Sequence, residues 1–123
     1  MYKVKICGIS EAQHLNAAVE SGASYVGFVF FEKSRRNISI ETAQLLANQV
    51  PKGVVRVALL VNPRITFIRN VLKNVPIDML QLHGQETIER VKNIKKITNL
   101  PVMKAIGVAT KKDLVLVDRK SVV

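Results

Sequence analysis

Three short segments carry most of the side chains that could do chemistry. The first is Lys5-Ile6-Cys7-Gly8. If it ends a β-strand, period two puts Lys3, Lys5 and Cys7 on one face, with Val4 and Ile6 on the other. The apolar face suits a covering layer of helices, which leaves a lysine and a thiol pointing inward. A thiol so placed could serve as a nucleophile or as a general base. The alternative is a buried cysteine behaving as a small hydrophobe. The second segment is the basic loop Glu32-Lys33-Ser34-Arg35-Arg36-Asn37, where an arginine suits two-pronged capture of a carboxylate or phosphate. As a plain solvated loop it would do nothing. The third is Gln81-Leu82-His83-Gly84. Gln81 and His83 share one strand face, and two polar side chains aimed into a sheet are costly unless paired or used. His14 falls in a helix and reads as exposed. The chain has neither a glycine-rich phosphate fingerprint nor a cluster of metal-ligating residues.

The elements that must position these residues alternate between short β-branched runs and amphipathic stretches. Strands are expected at Tyr2–Cys7, Tyr25–Phe31, Val54–Val61, Ile77–Leu82 and Pro101–Ile106. The second is apolar on both faces, as a parallel strand covered by helices should be. Ser10 and Gln13 have the spacing of a capping box for the first helix, which carries Leu15, Ala18 and Val19 and ends at Gly22. A second helix begins near Ser39. Asn62-Pro63 has the form of an N-cap followed by a first-turn proline for the third helix. The fourth spans residues 86–98. Strand starts recur every 23 to 29 residues, the rhythm of a parallel α/β sheet. Two architectures share that rhythm: a flavodoxin-like doubly wound sheet, and the first five βα units of a TIM barrel. The signalling subfamily of the former needs acids at its strand ends, and neither Cys7 nor Asn62 supplies one. Chain length favours the flavodoxin-like sheet.

Composition narrows the function. The chain has 123 residues, 48% of them hydrophobic and 23% charged, a composition able to bury one core. The longest apolar runs fall far short of a bilayer span. No signal-peptide pattern opens the chain, and one cysteine excludes an internal disulfide. These features point to a cytoplasmic protein without membrane partners. Nineteen basic side chains against nine acidic ones give a net charge of +10, which fits an anionic substrate or partner. The charge is spread evenly: ten basic and five acidic residues in 1–85, nine and four in 86–123. The last aromatic is Phe67, so the most basic stretch, Arg90 to Lys112, offers no stacking platform. Nucleic-acid binding is therefore not the expected role.

Taken together, these segments resemble phosphoribosylanthranilate isomerase, a TIM-barrel family of tryptophan biosynthesis. The resemblance rests on Val4-Lys5-Ile6-Cys7-Gly8-Ile9, the run Gly22 to Phe30, Ser34-Arg35-Arg36-Asn37-Ile38-Ser39 and Asp78-Met79-Leu80-Gln81-Leu82-His83-Gly84. Met103-Lys104-Ala105-Ile106 is a weaker match. It runs from residue 2 to about 107 and overrides the length argument for a flavodoxin-like sheet. It implies a (β/α)8 barrel represented by about five βα units. The implied reaction is a cofactor-free, metal-free Amadori rearrangement of N-(5-phosphoribosyl)anthranilate to 1-(2-carboxyphenylamino)-1-deoxyribulose 5-phosphate. By the resemblance, Cys7 is the general base, Arg36 holds the anthranilate carboxylate, and Gln81 and His83 line the substrate pocket. Two positions depart from the family pattern: Arg35 replaces a proline, and Gln85 stands where an acid is common.

The family's general acid is an aspartate at the end of a sixth strand, and its phosphate site is built by loops after strands seven and eight. Asp118 mimics such a strand ending, but lies only twelve residues after Ile106, too few for an intervening helix and turn. Residues 108–123 form a poorly defined tail, and its end, Arg119-Lys120-Ser121-Val122-Val123, resembles nothing in the family. The expectation is one incomplete barrel domain over 1–123, holding the base and half the pocket for a small phosphorylated substrate. A non-catalytic basic half-barrel that binds anionic partners is the competing reading. General acid catalysis contributes about 10²–10⁴-fold, so the purified chain should turn over substrate far more slowly than a whole barrel. A steady-state rate near that of a whole barrel would contradict this. Open sheet edges invite pairing, so sedimentation should reveal self-association, and a stable compact monomer would argue against it.

Overall fold

A computed structural model describes residues 3–105. Five strands alternate with four helices: β1 (Lys5–Cys7), α1 (Ala12–Glu20), β2 (Tyr25–Phe30), α2 (Ile40–Ala47), β3 (Val55–Leu60), α3 (Ile65–Asn74), β4 (Met79–Leu82), α4 (Ile88–Thr98) and β5 (Val102–Lys104). Every pairing is parallel and the spatial order is β1-β2-β3-β4-β5. A flavodoxin-like sheet reverses its strand order at a switch point. Here each strand lies beside its sequence neighbour in a single direction, which is the barrel progression. The described strands do not close, and β1 and β5 are the edges.

Register explains why the two faces differ. Cys7 pairs with Gly27, Gly27 with Val57 and Val57 with Met79, while Val29, Leu59, Gln81 and Met103 form the next level. Residues one position off these belong to the opposite face: Val26, Phe28, Phe30, Ala58, Leu60, Leu80, Leu82 and Val102. All of the latter join a single core with Leu15 and Ala18 of α1, Ala43, Leu46 and Ala47 of α2, Ile68 and Val71 of α3, and Val91 and Ile94 of α4. The four helices therefore cover one face. Val29 and Val57 are buried but lie on the other face, outside that core.

Several helix starts differ from their sequence signals. The Ser10/Gln13 box does not form: Glu11 is the N-cap of α1, without a side-chain cap bond. The helix Asn62-Pro63 should have opened begins at Ile65, with Arg64 as N-cap. Asn62 adopts a left-handed conformation (φ 45°) instead, because its amide and side chain are engaged elsewhere, as described below. Glu86 is likewise not the first residue of α4, whose N-cap is Thr87, accepting from the Arg90 amide at 3.1 Å. α2 begins beside Ser39 as expected, and Ser39 is its N-cap, accepting from the Thr42 amide at 3.1 Å. The strands are one or two residues shorter than their apolar runs where both ends are described. Tyr2, Ile106, Asp118 and the tail from 108 lie outside the described residues.

At the opposite end from the strand tops, Asp78 clamps β3 to the segment entering β4. It accepts from Nε, Nη2 and the backbone amide of Arg56, each at 2.9 Å. The side-chain hydrogen bond from Arg56 is the main reason the Asp78 carboxyl sits below its ordinary pKa, against partial desolvation. A depressed carboxylate stabilises the fold above its unfolded pKa, about 3.9, and that contribution is lost as pH falls through the folded value. Asp78→Asn should therefore lower the urea midpoint at pH 7, with a modest effect for a pair this exposed. The gap to the parent chain should close below about pH 4. A gap of constant size down to pH 2 would contradict the assignment.

Candidate active site

The helix-free face presents its polar side chains at the carboxyl ends of the strands. Cys7 ends β1 and is half-buried. Its sulfur lies on this face, 3.4 Å from where a Cβ on Gly27 would stand; the Leu59 side chain would lie 3.3 Å from that point. Gly27 thus leaves open the space between the thiol and the neighbouring strand. The thiol is not part of the helix-facing core.

Arg36 reaches this end of β1 from the loop after β2. Its Nη1 donates a long 3.5 Å hydrogen bond to the Cys7 carbonyl. Its side chain also lies flat over Gly8. A Cβ added there would come within 2.3 Å of Arg36 Cδ and 2.9 Å of Nε. Gly8 is also left-handed (φ 78°), so glycine serves both the turn and the close approach. The loop holds its shape without the missing proline. Ser34 donates its amide to the Phe31 carbonyl at 2.9 Å, and its Oγ accepts from the Arg36 amide at 3.1 Å. Asn37 then forms a parallel bridge to Val29. No carboxylate among the described residues pairs with Arg36.

Arg36 and His83 share a cavity of about 300 Å³, floored by Val29, Leu59 and Val61. His83 extends the β4 ladder through its amide, which donates to the Leu60 carbonyl at 2.9 Å. Gln81 stands one level lower on the same face, between Leu59 and Met103. It is 9% exposed and its Oε1 has no hydrogen-bond partner among the described residues. An acceptor orphaned in this way awaits a donor. The structure therefore brings Arg36 and His83 to one cavity, Arg36 to Cys7, and Gln81 directly beneath. The Cys7 sulfur does not line that cavity. Cys7 instead borders a shallower depression of about 380 Å³ with Ile6, Gly8, Ile9, His14 and Ala17. His14 is exposed, as expected. No three His, Cys, Asp or Glu side chains come together among the described residues.

Sequence reasoning missed a second group at the strand tops. Glu86 and Lys104 form an ion pair whose side chains are 1% and 3% exposed. Lys104 Nζ also donates to the Gly84 carbonyl. Glu86 accepts from the Asn62 amide at 2.7 Å and from the Gly84 amide at 2.9 Å. Burial alone would push the Glu86 carboxyl up, but hydrogen bonds from Lys104 and the Asn62 amide outweigh it and hold the group below its ordinary pKa. Removing one partner of such a buried pair typically costs ~3–5 kcal/mol. A signal was present in the sequence. Lys104 shares a strand face with Val102, and a cation on a helix-covered face needs a buried partner.

The overlap of Arg36 with Gly8 can be measured. Gly22 is also left-handed (φ 87°) but has nothing within 4 Å of its absent Cβ. Gly22→Ala should therefore cost only the conformational strain, ~1–3 kcal/mol. Gly8→Ala should cost more, and Arg36→Ala should abolish the excess in the double variant. Equal costs at both glycines, with no coupling to Arg36, would contradict the packing described.

Three comparisons bear on this site. The sequence profile of the family described as N-(5'-phosphoribosyl)anthranilate isomerase matches residues 4–122. The enzyme of that name from Paracoccus denitrificans is 57% identical over 111 residues, 90% of this chain and 52% of the relative. A crystal structure of phosphoribosyl anthranilate isomerase in complex with reduced 1-(o-carboxyphenylamino)-1-deoxyribulose 5-phosphate superposes with a TM-score of 0.88 at 40% identity. It covers 94% of this chain and 59% of that one. The Thermotoga maritima enzyme gives the same score and identity, over 94% of this chain and 56% of that one. The chain thus spans about half the length of the curated relatives it matches. Over that span, it belongs to the N-(5'-phosphoribosyl)anthranilate isomerase family.

Proposed function

We propose that this chain carries the base and the anthranilate-holding wall of a phosphoribosylanthranilate isomerase acting in tryptophan biosynthesis in the cytoplasm. The observation that carries the reading is the Arg36 guanidinium. It spans from the Cys7 carbonyl, at 3.5 Å, to the cavity that also holds His83. A carboxylate seated there would meet a planar donor fork not claimed by any acid of the described residues.

In this reading an acid opens the ribose ring of N-(5-phosphoribosyl)anthranilate to a Schiff base. Cys7 then removes the proton from ribose C2, and the electron pair moves toward the imine nitrogen, giving an enolamine. Tautomerisation returns a proton at C1 and leaves a ketone at C2, so composition is unchanged and no cofactor is required. Arg36 fixes the anthranilate carboxylate and so aims C2 at the thiol. Gln81 offers its Oε1, unpaired among the described residues, to a donor on the substrate, and His83 closes the rim. The acid is not among the residues assigned here; Asp118 lies outside the described residues.

Two measurements test the proposal. The reduced product analogue should bind the chain, and Arg36→Ala should weaken that binding by roughly 10- to 100-fold, as loss of a charge-assisted hydrogen bond does. Any residual turnover should vanish in Cys7→Ser while analogue binding persists. Absence of binding, or turnover indifferent to Cys7→Ser, would overturn the assignment. Binding of unrelated anions just as tightly would favour the basic binding module instead.

A further inference from the structure

The backbone that follows His83 is held by side chains from its own loop, from β5 and from the loop after β3. The Gly84 amide donates to Glu86 Oε1 at 2.9 Å and Oε2 at 3.2 Å, and its carbonyl accepts from Lys104 at the end of β5. The next amide, Gln85, donates to Asn62 Oδ1 at 2.8 Å. Asn62 follows β3, and its own amide donates to Glu86 Oε2 at 2.7 Å. The fit is tight: a Cβ on Gly84 would stand 2.7 Å from Asn62 Cγ and Oδ1. Asn62 holds a left-handed backbone (φ 45°) to make these contacts, forgoing the helix N-cap its sequence would favour.

A buried ion pair is often no better for stability than apolar side chains of the same shape. This one stands at the strand tops, where it joins the loops after β3 and β4 to the end of β5. Neither Glu86 nor Lys104 lines the cavity that Arg36 and His83 share. What the cluster fixes is backbone: the two peptides directly after His83.

We propose that Glu86 is a positioning residue which, with Lys104 and Asn62, immobilises residues 83–85 and so aims the His83 ring into the Arg36 cavity. The consequence for ligand binding rests on the reading of that cavity as the anthranilate pocket; the positioning itself does not. The acid sits two residues after Gly84, and Gln85, at the position where an acid was expected, contributes only its backbone amide.

The test uses the full chain with Glu86→Gln/Lys104→Met, which replaces the charge pair without leaving one charge stranded, and separately Asn62→Ala, at an exposed position. In ligand-free samples, amide exchange at Gly84 and Gln85 should accelerate at least tenfold relative to Leu80 and Leu82. The His83 ring signals should shift or broaden, while the urea midpoint is largely kept. Affinity for the reduced product analogue should then fall at least tenfold. If the double variant does not fold, Asn62→Ala decides the matter through the Gln85 amide and the His83 ring. His83 ring signals unmoved in a folded variant would overturn the inference, even with faster exchange. A parent chain that fails to bind the analogue would overturn the functional reading alone, leaving the ring and exchange measurements to decide the positioning role.

Discussion

A parallel strand gives alternate side chains to opposite faces, and here all four helices pack on the same one. Everything else follows from that asymmetry. The helix side absorbs Phe28, Leu60, Leu80 and Leu82 into a dry core. The other side receives Cys7, Gly27, Leu59 and Gln81 in register. Among the described residues no helix satisfies its polar members, so the Gln81 Oε1 has no partner there and the Arg36 guanidinium rests on backbone. Shifting any strand by one residue would exchange the two sets and destroy core and site together.

Two glycines let the site be compact. Gly8 admits the Arg36 side chain over the end of β1, and Gly27 leaves room beside the thiol. Around them, charge is used in two ways. The exposed cations of α4, such as Lys92, Lys95 and Lys96, face solvent and account for much of the basic balance of that region. Lys104 is sequestered with Glu86, and the pair ties the loops after β3 and β4 to the end of β5. The net charge alone could not distinguish these uses.

The strand rhythm, the interior placement of Lys5 and Cys7, and the shared face of Gln81 and His83 were legible in the sequence, because period two is a local property of extended chain. The barrel progression was not legible from spacing, since both architectures repeat at the same interval; the motifs at Cys7, Arg36 and His83 pointed to it, and strand order decided it. Helix starts failed at Ser10 and Asn62 for different reasons. The Ser10 signal was simply not taken up by the backbone. At Asn62 the tertiary contacts with Glu86 and Gln85 outcompeted a good local cap. The Glu86 cluster was overlooked because Glu86 lies 24 residues from Asn62 and 18 from Lys104, and only the fold brings the three together.

The central claim is that a ligand bearing an anthranilate carboxylate meets this chain on the helix-free face. The most direct check is an NMR titration of the chain with that ligand, following side-chain signals on both faces. The account predicts that the Gln81 side-chain amide and the Arg36 Nε signal shift together and saturate together, while the Phe28 and Leu80 methyl or ring signals stay still. Perturbations confined to the helix layer, with Gln81 and Arg36 silent at saturation, would contradict it.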